Sequence, residues 1–212
     1  TVIRDDFTRI VADLDEPFAD PSCIPTWYLA RATTEHVKVV LGGDGGDELF
    51  AGYKRFAKHL RSQWRRNLSV GGKPNASRTA LAGRGWQRTR DEARMTWHEA
   101  YSLRFSGFTP SQRAALQPAY PANQFTWWRM PAFASRNATT SLVDLLEIDR
   151  LNYLPEYILR KGDLTTMAHG LELRAPLLDH HWVNLVSGLP HTERFTVPAK
   201  QFVAPAMPDC IV

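Results

Sequence analysis

The sequence has little to suggest a membrane, a disulfide scaffold or a structural metal. No apolar run in its 212 residues approaches the ~20 needed to span a bilayer, and no charged-then-apolar segment opens the chain. The expected setting is cytoplasmic, without a membrane partner. Two cysteines, Cys23 and Cys210, are too few for a disulfide framework and stand in no metal-ligand spacing, so both are expected to be reduced. Neither sign of charge dominates, with 26 Lys/Arg against 22 Asp/Glu. The imbalance is local: between Lys54 and Arg104 there are thirteen basic residues and three acids, whereas the rest of the chain is net acidic.

A hydrophobic content of 43% and a charged content of 23% are ordinary for a soluble globular protein. The length suffices for one sizeable core, or one domain with a helical extension. The chain is organised around Val37 to Phe50. Val37, Val39, Val40 and Leu41 read as a buried, β-branched strand that stops at glycine. Gly42, Gly43, Gly45 and Gly46 then allow left-handed backbone and close approach of a ligand to bare N–H donors, which favours an anion. Asp44, Asp47 and Glu48 in the same turn would repel a phosphate. The two halves agree only if a hard cation such as Mg²⁺ sits between carboxylate and phosphate oxygens. Such a turn lies at the carboxyl end of a strand, where open α/β sheets bind ligands. A calcium-binding loop starting at Asp44 fails, because Gly46, Leu49 and Arg55 hold its third, sixth and twelfth positions. A plain strand-to-helix turn, with Asp47 and Glu48 complementing the helix dipole, remains the alternative.

Phe7, Ile10, Val11 and Leu14 recur at helical spacing, which predicts an amphipathic helix over about 4–14 packed by one face. Pro17 and Pro21 bracket an acidic loop containing Asp20, and Ser22 is placed to cap the next helix. From Lys54, basic residues alternate with the stripe Phe56, Leu60 and Trp64. Residues 71–90 read as a loop and 91–140 as an aromatic-rich helical lobe. The basic region, with Trp86, is read as a solvated face that steers anionic nucleotides, because no nucleic-acid motif organises it. Further on, Ser141 is an N-cap signal for a helix running to Pro155, Asp163 for one ending at Gly170, and Asp179 for one ending at Gly188. Lys161, Asp163, Arg174 and Asp179 are candidate pocket groups. The structural alternative makes Asp163 and Asp179 caps and Glu172–Arg174 an ion pair. His180 and His181, as neighbours on a helix, are expected to diverge rather than share a metal.

Leu41-Gly-Gly-Asp-Gly-Gly-Asp-Glu-Leu-Phe-Ala-Gly-Tyr53 resembles the second ATP-site motif of the asparagine synthetase (glutamine-hydrolysing) family. Asp15-Glu-Pro-Phe-Ala-Asp-Pro-Ser22 resembles that family's acidic loop, and Met167-Ala-His-Gly-Leu-Glu-Leu-Arg-Ala-Pro-Leu-Leu-Asp179 its downstream helix-and-turn signature. The resemblance implies an α/β fold with a parallel sheet of the adenine nucleotide α hydrolase-like type, incomplete here and with a large helical portion. It implies three segments of a partial synthetase domain over 1–212: a sheet part at 1–53, the helical lobe at 54–140, and 141–212 returning to the site.

The implied reaction is ATP-dependent amide formation. Aspartate is adenylated with release of pyrophosphate, and ammonia from glutamine then displaces AMP. The cofactors implied are ATP and Mg²⁺, with Asp47 as Mg²⁺ ligand and Gly42, Gly43, Gly45 and Gly46 lining the nucleotide site. Asp44 stands where the family has a carboxylate proposed to take a proton from the attacking amine. Implied partners are a carboxylate substrate and a glutaminase domain or other ammonia source outside this chain. Nucleic acid is not implied, and a homo-oligomer is left open. The family's Ser-Gly-Gly-x-Asp-Ser pyrophosphate loop does not occur in these residues, and its C-terminal lysine turn would fall near Val212. The expectation is therefore a part of a longer protein. The alternatives are a relative amidating another carboxylate, or a non-catalytic remnant.

Overall fold

The computed structural model describes residues 2–15, 18–69, 91–92, 95–105, 108, 112, 115–117, 119 and 141–195. In chain order the elements are α1 (Val2–Asp13), α2 (Cys23–Thr33), β1 (Val39–Leu41), α3 (Gly46–Phe50), α4 (Lys54–Ser69), α5 (Trp97–Ser102) and α6 (Leu142–Ile148). A π-helical segment (Asp149–Leu159), α7 (Arg160–Met167), β2 (Glu172–Arg174), a 3₁₀ turn (Pro176–Leu178), α8 (His180–Ser187) and α9 (His191–Arg194) follow. They divide into two compact units, Thr1–Gly52 with Asp149–Val212, and Tyr53–Ile148.

In the first unit, β1 pairs parallel with β2, Val39 opposite Glu172 and Leu41 opposite Arg174. The ladder is closed at its ends by Glu172 N–H on the Lys38 carbonyl at 2.9 Å and Gly42 N–H on the Arg174 carbonyl at 2.7 Å. The strand expected from the valine run is present but shorter, and it is not buried. Leu41 is 74% exposed, and Val37 and Val39 are also exposed. A three-residue strand with one partner strand among the described residues is covered on too few sides to hide its side chains. The stripe on α1 likewise buries Ile10 and, one residue past the helix end, Leu14, but leaves Phe7 and Val11 exposed, so only half of the periodic face is used. Ile10 and Leu14 pack with Cys23 and Trp27 of α2, flanked by Phe18, Tyr28 and, from α7, Leu164. Trp27 Nε1 donates to Asp13 at 2.8 Å, and the Tyr28 hydroxyl to Asp6 at 2.9 Å. A second cluster joins Leu49 and Phe50 of α3 to Val186 of α8.

Several helix boundaries differ from expectation for local reasons. Pro155 does not end its helix; it lies inside the π-helical segment. Ser22 precedes α2 but makes no capping bond with its side chain, because its backbone is already helical, at φ −73° and ψ −11°, where an N-cap needs extended dihedrals. Asp163 lies within the first turn of α7 and is exposed, so it is not the cap. Asp179 does cap α8, accepting from the His181 and Trp182 N–H groups. Gly170 takes the left-handed conformation after α7, at φ 64°.

The second unit is helical and aromatic. Phe56 and His59 of α4 and Tyr101 of α5 are fully buried. Arg55, expected on the basic face, instead lies 3.5 Å from the Tyr53 ring centre and donates to the Tyr101 hydroxyl at 3.2 Å. Lys54, Lys58 and Arg61 do face solvent. Arg104 pairs with Glu92 at 2.6 Å in a largely buried ion pair and reaches Ser62 at 3.2 Å. Thr96 and Glu99 form a capping box on α5, and Ser141 caps α6 through Asp144. The 71–90 loop with Trp86, the side chains of Trp64, Arg65 and Arg66, the Trp127 and Trp128 part of the lobe, and residues 196–212 with Cys210 lie outside the described residues.

Candidate active site

The turn after β1 is built by glycines used for different reasons. Gly45 has φ 87°, and a Cβ there would run into Leu178. Only glycine satisfies both conditions. A Cβ on Gly42 would meet Leu173 Cδ1 and Asp44 Oδ2, each at 3.0 Å, and one on Gly162 would meet Leu173 Cδ2 at 2.8 Å. Leu173 of β2 is thus gripped between two glycines, one opening the turn and one inside α7. That close approach lays α7 against the strand ends and folds the Asp44 carboxylate back over Gly42. Gly43 has open space where a side chain would stand. The turn is therefore closed on the protein side and accessible on the other.

Asp44 is half-buried, and no hydrogen bond reaches its carboxylate among the described residues. Burial pushes its pKa above the ordinary 3.8, and the positive charge of Lys161 works in the opposite direction. A carboxylate held out of water without donors keeps an appetite for a proton. Asp47 sits one residue past Gly46 in the first turn of α3, half-buried, and Glu48 beside it is buried. The far end of α3 is held by Arg194, whose Nε donates to the Leu49 carbonyl at 2.8 Å, and Ala51 turns the chain at φ 57°.

Lys161, carried on α7, reaches the acidic loop 139 residues away, its Nζ 3.0 Å from the Ser22 hydroxyl oxygen and 3.3 Å from Asp20 Oδ2. Asp20 also accepts from the Ser22 backbone N–H at 2.9 Å. Burial alone would raise the Asp20 pKa, but the Ser22 donors and then Lys161 outweigh it and hold the group below 3.8. Tyr157 lies in the electrostatic reach of Asp20. Its hydroxyl pKa is pushed up to about 12, first by burial and then by the Asp20 charge. Tyr157 stacks on Tyr153 and packs against Phe18, with ring centres at 4.9 and 5.4 Å.

The expected groups therefore sort into two sets. Asp20, Ser22, Lys161 and Asp44 belong to one electrostatic neighbourhood at the turn. Asp163 and Arg174 are exposed, Arg174 bonding to Glu172 at 2.8 Å, and Asp179 is a cap. His180 and His181 do not diverge; their rings lie 3.8 Å apart on the surface. Among the described residues no three His, Cys, Asp or Glu side chains gather as a metal cage. Tyr157 escaped the sequence reading, since nothing in its spacing ties it to Asp20. Lys161 was among the candidate pocket groups; the glycine beside it, which weakens a helix interior unless close packing requires it, is the feature that sets it apart.

A parallel strand pair with an accessible glycine turn at its carboxyl end is the arrangement of α/β proteins that bind ligands at strand ends. The family profile for asparagine synthase matches residues 2–206, and the chain belongs to that family. A protein of Mycobacterium bovis named as an asparagine synthetase (glutamine-hydrolyzing) is 32% identical over 200 residues, which is 89% of this chain and 29% of the relative. Asparagine synthetase (glutamine-hydrolyzing) 1 of Bacillus subtilis is 27% identical over 186 residues, covering 86% of this chain and 29% of the relative. One from Methanocaldococcus jannaschii is 44% identical over 54 residues, 26% of this chain and 10% of its own length. The chain thus spans under a third of the length of these relatives. No solved structure matches it.

Proposed function

We propose that this chain carries the carboxylate-activating and amide-forming site of an asparagine-synthetase-type ligase, on a sheet of the adenine nucleotide α hydrolase-like type. ATP binds at the turn Gly42-Gly43-Asp44-Gly45-Gly46, with the backbone N–H groups of Gly43, Asp44 and Gly45 toward its phosphates; against expectation those of Gly42 and Gly46 are not bare donors, being spent on the Arg174 and Gly43 carbonyls. An oxygen of the aspartate side chain attacks the α-phosphorus, and the bond to pyrophosphate breaks. Ammonia, supplied by a glutaminase outside this chain, then attacks the acyl carbon. Asp44 takes the proton released from the nitrogen, and AMP departs with one former carboxylate oxygen.

One observation carries this reading: Asp44 is a half-buried carboxylate without a hydrogen-bond partner among the described residues, its proton affinity raised, beside an open glycine turn. A purely structural turn has no use for an unsatisfied buried carboxylate, which costs stability. Mg²⁺ fits the donors present in a particular way. With no protein cage among the described residues, Asp47 would hold it together with phosphate and water oxygens, the usual manner for this ion. When bound it neutralises charge on the departing pyrophosphate.

The test is isotopic. With aspartate labelled by ¹⁸O in its side-chain carboxylate, ATP, Mg²⁺ and ammonium, the AMP formed should carry one labelled oxygen. Unlabelled AMP formed together with asparagine would rule out the acyl-adenylate. Labelled AMP obtained only with a different acid would reassign the substrate, and release of neither product would favour a non-catalytic role.

A further inference from the structure

The site has a charge conflict that the sequence resolved only by invoking a metal. Asp44, Asp47 and Glu48 crowd a turn whose backbone invites an anion. The fold supplies a resident cation as well. Lys161 belongs to α7, and the packing of Gly162 against Leu173, itself against Gly42, fixes that helix at the turn. The lysine's charge is felt at Asp44, yet the two form no ion pair at contact distance. An ammonium has three donors. Two are committed, to Ser22 and Asp20, and among the described residues no third partner is present. Asp20 is itself engaged on both carboxylate oxygens, by the Ser22 N–H and by Lys161, so it is a fixed post rather than a group seeking a ligand.

We infer that Lys161 is a metal-independent anion anchor of this site, giving its remaining N–H to a phosphoryl oxygen of the nucleotide at the glycine turn, while Asp20 and Ser22 hold the ammonium in place. This rests on the nucleotide reading above but adds a residue and a property to it. Part of the phosphate's charge is met by the protein before any divalent ion arrives. Lys161 is carried on α7 and Asp47 on α3, so the two positive centres are held by different elements. Asp20 and Ser22 are positioning residues in this scheme; they act through Lys161 and do not touch the ligand.

The test compares AMP, adenosine and inorganic pyrophosphate by calorimetric titration of the full chain in EDTA. AMP should bind tighter than adenosine, by roughly tenfold or more for one charge-assisted hydrogen bond. Lys161→Met should bring the two within about twofold while leaving adenosine unchanged, and Lys161→Arg should keep most of the preference. A merely structural role would weaken adenosine and AMP together. Should Lys161→Met not fold, Lys161→Gln keeps a donor for Asp20 and removes only the charge, and the same loss of preference is expected. An AMP preference that survives in a folded neutral variant overturns the inference and leaves the ligase reading standing. So does equal binding of AMP and adenosine by the wild type in EDTA when ATP with Mg²⁺ still binds. If no nucleotide binds even with Mg²⁺, the ligase reading falls. Lys161-dependent binding of pyrophosphate would then still uphold the anchor, and its absence would remove both.

Discussion

Each unit contains a buried or half-buried pair of opposite charges, and the two are finished differently. In the helical unit, Arg104 faces Glu92 at 2.6 Å and extends to Ser62, joining α4 to the residues around α5. In the strand-bearing unit, Lys161 faces Asp20 at 3.3 Å, keeps an uncommitted donor, and stands near a carboxylate, Asp44, that receives no hydrogen bond among the described residues. The first pair holds shape. The second holds a posture while leaving hydrogen-bonding capacity unspent, which is costly unless a ligand uses it. An open glycine turn beside the charges, rather than charge as such, distinguishes the site from the strut.

The sharpest way to break this contrast is at Asp44. Asp44→Asn should lower amide formation by about 10²- to 10⁴-fold, the span of a lost general base, or roughly 3–5 kcal/mol of barrier. Its melting temperature should be unchanged or slightly higher, because a carboxylate with a raised pKa opposes folding at neutral pH. Arg104→Met should do the converse. Leaving Glu92 buried and unpaired is expected to cost about 3–5 kcal/mol in urea unfolding, with little change in the nucleotide affinity of the folded fraction. Gly45→Ala forces a left-handed residue into contact with Leu178 and should cost about 1–3 kcal/mol, together with a measurable loss of ATP affinity.

The smallest effect is acid stability. Asp20 has a folded pKa below its unfolded 3.8, so its contribution is present above that pH and is lost as the pH falls through the folded value. Asp20→Asn should therefore flatten the decline in stability below about pH 4, measured by chemical denaturation at several pH values. An unchanged decline would mean that the Ser22 and Lys161 contacts do not stabilise the charged form.

The local signals in the sequence were dependable where the backbone alone decides. The glycine turn, the Asp179 cap and the Ser141 cap follow from φ requirements and unsatisfied N–H groups, which short motifs encode. Burial was less legible. The valine run and the Phe7–Leu14 stripe report what a chain can bury, but the exposed Leu41 and Phe7 show that covering them depends on neighbours that periodicity does not name. Ser22 was misread for another reason: a capping residue type caps only with extended dihedrals, and Ser22 is already helical, its hydroxyl accepting instead from Lys161, 139 residues away. The family resemblance identified Asp44 and Asp47 by motif. Lys161 was named from the sequence only as one of four candidate pocket groups, and the stacking of Gly42, Leu173 and Gly162 is what singles it out from Asp163, Arg174 and Asp179.

The most direct measurement separates the two half-reactions in Asp44→Asn. Exchange of labelled pyrophosphate into ATP, dependent on aspartate, reports adenylation, and asparagine formation from ammonium reports the proton-accepting step. The account predicts exchange within a few-fold of wild type and asparagine formation reduced by two orders of magnitude or more. Equal loss of both, or loss of neither, would contradict the assignment of Asp44 as the base.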